Sequence, residues 1–108
     1  MSPWEVWTWQ FPDAGAHPAV ILGTLERIEL KRRVSVLLCS TQRAIRKPEV
    51  HEVILDDADG LDWETLCKCD LVYAVPKSEL VRRRGAVSLE RRRAIAERVI
   101  RGLGLAGL

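Results

Sequence analysis

The chain has 108 residues, 47% hydrophobic and 30% charged, with 17 basic against 15 acidic side chains and a formal net charge of +2. That is a globular composition, and no apolar run approaches the roughly 18 to 20 residues that cross a bilayer. The opening segment MSPWEVWTWQF lacks a basic stretch followed by an aliphatic one, so it does not read as a secretory leader. Charge is uneven: residues 1–81 hold nine basic and thirteen acidic side chains, residues 82–108 eight and two. A basic end of this kind attracts polyanions or forms one solvated helix face. Three cysteines, Cys39, Cys67 and Cys69, are an odd number, and the last two, two apart in a strand, point the same way and sit too far apart for an easy bridge. A reduced, cytoplasmic protein is expected.

In chain order, Trp4 to Phe11 alternates Trp7 and Trp9 with Thr8 and Gln10, which predicts a strand. Phe11-Pro12-Asp13-Ala14-Gly15 is a turn by composition, and Pro18 to Leu22 is a short continuous apolar run, hence a well-buried strand. Thr24 to Arg33 fits either a helical turn or a polar extended segment. Val34 to Cys39, His51 to Leu55 and Leu66 to Val75 read as strands, the last with its apolar face on the odd residues as far as Tyr73. Pro76 to Leu80 makes one helical turn, and residues 81–87 a last short strand or connector. Ser88 then caps one amphipathic helix of about four turns. Its apolar residues are Leu89, Ile95, Ala96, Val99, Ile100 and Leu103, with the arginines mostly opposite. Five or six short strands and one terminal helix imply a mostly β, strongly bent barrel.

The chemistry-bearing residues are few. There is no phosphate-binding glycine loop, nucleophile elbow or His-Glu-x-x-His helix. Cys67-x-Cys69 with His17 and His51 makes a weak zinc pattern, and strand cysteines are more often core. His17 precedes Pro18 at a loop-to-strand junction and is a candidate acid/base; His51 is a lesser one. Ser40-Thr41-Gln42-Arg43 brings two hydroxyls, an amide and a guanidinium to one strand end, where they hold a phosphate or cap a turn. Arg82–Arg84 and Arg91–Arg93 are basic runs that contact phosphates or coat a helix, and Trp4, Trp7 and Trp9 stack on bases or fill a core or dimer interface.

The order of these pieces resembles the PemK/MazF family of toxins from type II toxin–antitoxin systems. An aromatic strand is followed by His17-Pro18-Ala19-Val20-Ile21-Leu22, then by a strand running into Ser40-Thr41-Gln42. Further on come Asp59-Gly60-Leu61, a strand holding Cys69-Asp70, Pro76-Lys77-Ser78-Glu79-Leu80, Gly85, and the helix after Ser88. The resemblance spans nearly the whole chain. It implies one domain over 1–108: a mainly β, SH3-like barrel of five to seven short strands with a C-terminal amphipathic helix. It also implies a homodimer, a cognate antitoxin, DNA binding only with that antitoxin, and no cofactor or metal ion. The implied activity is endoribonucleolytic cleavage of single-stranded mRNA, in which the ribose 2′-hydroxyl attacks the adjacent phosphate.

Residue by residue, His17 stands where the family has an Arg before Pro, and Ser40, with Thr41 beside it, where the family has Thr. The resemblance therefore implies His17, Ser40 and Thr41 as catalytic residues, with Gln42 and Arg43 seating RNA. His for Arg exchanges a permanent bidentate cation for a titratable ring. The loop before His17 is also shorter, only Asp13-Ala14-Gly15-Ala16. These departures frame an alternative, a catalytically impaired barrel that binds protein or nucleic acid; a DNA-binding regulator using Arg82–Arg93 is a further one.

Overall fold

The computed structural model describes residues 1–40 and 47–107. Its first strand, β1 (Glu5–Phe11), turns through Pro12–Ala14 into β2 (Gly15–Leu22), with Gly15 at φ +84° where a side chain is disfavoured. The two form an antiparallel hairpin from Val6 opposite Val20 to Phe11 opposite Gly15. Because β1 templates it from the turn onward, β2 begins before the apolar run, and His17 lies inside the strand rather than at its mouth.

Thr24 resolves the ambiguous charged stretch. Its hydroxyl accepts from Arg27 N at 3.2 Å and caps a short helix, α1 (Leu25–Leu30), whose Ile28 is buried. Lys77 Nζ donates to the Ile28 and Glu29 carbonyls at 2.6 and 3.3 Å, placing a cation at the negative end of that helix. Strand β3 (Arg33–Ser40) follows, then β4 (Glu52–Leu55), the long β5 (Thr65–Pro76), β6 (Val81–Ala86) and helix α2 (Leu89–Gly102).

The six strands form one sheet in the order β4-β5-β3-β2-β1-β6, antiparallel throughout, curled into a half-barrel with the helix α2 at its side. Both faces of its centre are buried. Val20, Leu37, Cys39, Cys67, Cys69 and Ile95 pack on the α2 side; Trp9, Phe11, Ala19, Ile21, Ile28 and Val36 pack on the α1 side. That is why β2 reads as an unbroken apolar run rather than an alternating one. Among the described residues, no helix is long and apolar enough to cross a membrane.

Strand β5 corrects one expectation. Leu37 faces Val72 while Cys39 already faces Cys67, so two steps along β3 correspond to five along β5. The extra residues bend the strand, and Leu71, expected on the apolar face, is exposed.

Helix α2 corrects another. Ile95 is its buried residue, flanked by Ala94 and Val99, whereas Leu89, Ile100 and Leu103 face outward. The helix is rotated because Arg91 belongs to the packing side: its guanidinium bonds Asp56 and Asp59 on the turn after β4. Asp59 is 1% exposed, and it also accepts from Ser88 N at 2.8 Å and Asp56 N at 3.0 Å. Ser88 is the N-cap residue, but its side chain makes no capping bond. The turn presses on β6 so closely that a Cβ on Gly85 would lie 2.1 Å from the Asp59 carbonyl oxygen.

Candidate functional site

Strand alternation decides which faces the candidate residues share. In β2, Ala19 and Ile21 point to the α1 side and Val20 to the α2 side, so His17 shares the face of Ala19. In β3, Cys39 points to the α2 side, which turns Ser40 to the same face as His17. The β2–β3 ladder runs from Leu22 opposite Ser35 to Ala19 opposite Leu38. The ladder ends there, two residues short of both His17 and Ser40. Trp9 is opposite His17 across β1 and β2, and Ser40 is opposite Leu66, itself opposite Ile54, across β3, β5 and β4.

Around His17 the local geometry is simple. Its Nε2 lies 2.8 Å from the Ala14 carbonyl oxygen across the hairpin turn. A carbonyl only accepts, so Nε2 carries the hydrogen and the neutral ring keeps its lone pair on Nδ1. The turn thus orients the ring and leaves one nitrogen able to take a proton. Ser40 is half-buried at the end of β3. Thr41, Gln42 and Arg43, the other three residues proposed for the site, lie outside the described residues.

The tryptophans are structural. Trp9 is 9% exposed, meets Phe11 edge-on at 4.6 Å and donates its indole N–H to Glu79 at 3.0 Å. Trp7 donates to Glu5 at 3.1 Å, and Trp4 packs on the α2-side core. Sequence reasoning passed over Trp63, 53% exposed, with the Arg84 guanidinium 5.7 Å from its ring.

The zinc pattern does not assemble. Cys67 and Cys69 are wholly buried on the α2 side, and His17 is on the opposite face. Their thiols are held well above the ordinary range, Cys67 through its hydrogen bond with Cys39 and Cys69 through its bond with Cys67 and through burial. They are protonated core groups. A different trio, Glu49, His51 and Glu52, has ligand atoms within 4.8 Å of one another. His51 Nε2 lies 3.6 Å from Glu49 and 3.8 Å from Asp70, so a protonated His51 is already met by carboxylates. Beside it, a cavity of about 290 Å³ is lined by Val50, His51, Glu97, Arg98, Arg101 and Gly102. It lies against α2 beside β4, three strands along the sheet from β2 and His17.

A curled antiparallel sheet of six strands with a terminal helix defines a small β-barrel class. The chain belongs to the PemK-like, MazF-like toxins of type II toxin–antitoxin systems, whose family model matches residues 2–103. Solved structures agree on the fold. A mycobacterial endoribonuclease crystallised with its cognate antitoxin is 20% identical, with a TM-score of 0.83 covering 100% of this chain and 99% of that one. The Mycobacterium tuberculosis toxin MazF-mt6 is 24% identical, with a TM-score of 0.80 over 94% and 97% of the two chains. The toxin in a MazE–MazF structure from Deinococcus radiodurans is 15% identical, with a TM-score of 0.75 over 98% and 97%. No curated protein matches the sequence.

Proposed function

We propose that this MazF-like toxin is a metal-independent endoribonuclease acting on single-stranded mRNA at the sheet face that holds His17 and Ser40. The observation that carries the reading is their shared sheet face on neighbouring strands, in a chain matched by the toxin family over residues 2–103. In this chemistry the His17 Nδ1 takes the proton of a ribose 2′-hydroxyl as its oxygen attacks the adjacent phosphorus. The bond to the 5′-oxygen of the next nucleotide breaks, and a protonated group returns a proton to it. A 2′,3′-cyclic phosphate and a free 5′-hydroxyl result. The Ser40 and Thr41 hydroxyls donate to the phosphate oxygens, and Gln42 and Arg43 seat the flanking RNA.

The family and the antitoxin-bound relatives support a cognate antitoxin as partner. A homodimer, which the family resemblance implies, is the form that builds an extended groove. The deciding experiment incubates purified protein with single-stranded RNA in the presence of EDTA and identifies the product ends. Cyclic phosphate ends from the parent and none from His17→Ala support the assignment. Equal cleavage by both proteins removes His17, and no cleavage or growth arrest with the parent removes the ribonuclease reading.

A further inference from the structure

A phosphodiester gains negative charge as it is attacked, and a histidine that acts as base is neutral when the reaction starts. If the site works as proposed above, on which this inference rests, it needs a permanent cation on the same sheet face. Among the described residues, Arg33 begins β3 at its far end, opposite Pro76, and Lys77, just after β5, is spent on the α1 carbonyls.

Lys68 meets the requirement. It lies between Cys67 and Cys69, both of which point into the α2-side core, so Lys68 points to the opposite face, that of Ser40. Ser40 is opposite Leu66, two residues before Lys68. Such a diagonal pair has Cα atoms about 7–8 Å apart, within reach of the four-carbon lysine stem. Lys68 also stands at the start of the segment where β5 bulges away from the β3 register, a distortion that re-aims side chains. Its direct cross-strand neighbour is Glu52, 2% exposed, whose Oε1 accepts from the Glu49 N–H at 2.9 Å. Lys68 itself makes no ion pair or hydrogen bond among the described residues, and its side chain is half-buried rather than splayed into solvent. Among the described residues this half-buried lysine has no ion pair, and it lies diagonal to Ser40, where an anion would meet both side chains.

We propose that Lys68 supplies the permanent positive charge on the scissile phosphate, working beside Ser40 and opposite the base His17. The test compares the parent with Lys68→Met, Lys68→Arg and Lys31→Met on a short RNA spanning a cleavage site mapped with the parent. Lys31 follows α1, a full strand length from Ser40, and controls for net charge. Lys68→Met is expected to lower kcat on the order of a hundredfold with KM changed less than about threefold, while melting as the parent does. Lys68→Arg should keep most of the activity and Lys31→Met all of it. A Lys68→Met kcat within twofold of the parent overturns the proposal while leaving the ribonuclease reading intact. So does an equal loss in Lys68→Arg or Lys31→Met. A parent protein without cleavage overturns both.

Discussion

Arg91 Nη1 lies 2.6 Å from Asp59 Oδ2, a carboxylate almost wholly shut off from water. The same nitrogen is 2.6 Å from Asp56 Oδ1, so one guanidinium on α2 fastens the turn between β4 and β5. Removing it leaves a buried charge without its counter-ion, which costs about 3–5 kcal/mol. Arg91→Ala should therefore lower the melting temperature by well over 10 °C at neutral pH, since each kcal/mol is worth about 4–8 °C in a chain near this size. Calorimetry of the variant and the parent reads this directly.

Acid should weaken the same clasp. The Arg91 guanidinium, which bonds Asp56, and the Ala58 N–H hold the Asp56 carboxyl below the usual carboxylate range. A carboxyl depressed in the folded state adds stability above its unfolded pKa of about 3.9 and loses it as pH falls through the folded value. The parent's urea midpoint should be level above about pH 5 and fall below about pH 4. In Arg91→Ala the midpoint is lower throughout, with a shallower acid limb.

Gly85 faces a steric limit instead. Its missing side chain admits the Asp59 carbonyl, and a Cβ would sit 2.1 Å from that oxygen. The oxygen belongs to the backbone and a Cβ is fixed by the Cα that carries it, so neither can swing away. Gly85→Ala is expected to exceed the roughly 1–3 kcal/mol of ordinary overpacking, and urea titration should show it as the more damaging change than Gly104→Ala at the exposed end of the chain.

The thiols offer a test of the core. Cys39, Cys67 and Cys69 are each fully buried, and the last two titrate above the ordinary thiol range. The native protein should release no colour with an aromatic disulfide reagent at pH 8 over minutes. In guanidinium all three thiols should react at once. Prompt reaction of one thiol in native protein would contradict the packing of the α2-side core.

His17 makes a kinetic prediction. As a base it must be neutral, so kcat/KM for RNA cleavage should rise with pH on one ionisation, and that limb should vanish in His17→Ala along with about 10²–10⁴-fold of the rate. Ala14 contributes only a carbonyl to the ring, so Ala14→Ser should leave the profile in place.

How far the sequence reveals this molecule depends on the kind of signal each residue sends. Strands β1 and β3 show in aromatic and β-branched patterning, and β2 shows as an apolar run because both its faces are covered. The bend in β5 leaves no such trace, since a bulge changes the count of residues between partners and not their type. The orientation of α2 is hidden for a similar reason. A hydrophobic wheel assigns Arg91 to solvent, and only its tertiary partners Asp56 and Asp59 pull it inward. At the candidate site, His17 and Ser40 are legible through the ordered resemblance. Lys68 is not, because it looks like any polar residue in an alternating strand until β3 and β5 are paired.

The position of β1 in the sheet carries a consequence for how the protein is made. Glu5 pairs with Ala86 and Val6 with Gly85, so the strand at the front of the chain waits for one near its end. Asp59 likewise has no counter-charge until Arg91 has been synthesised. Contacts this distant in sequence close late and fold slowly. The sheet therefore closes only when residues 81–91 have joined the first strand and the Asp59 turn, so its last edge is the latest part of the fold to form.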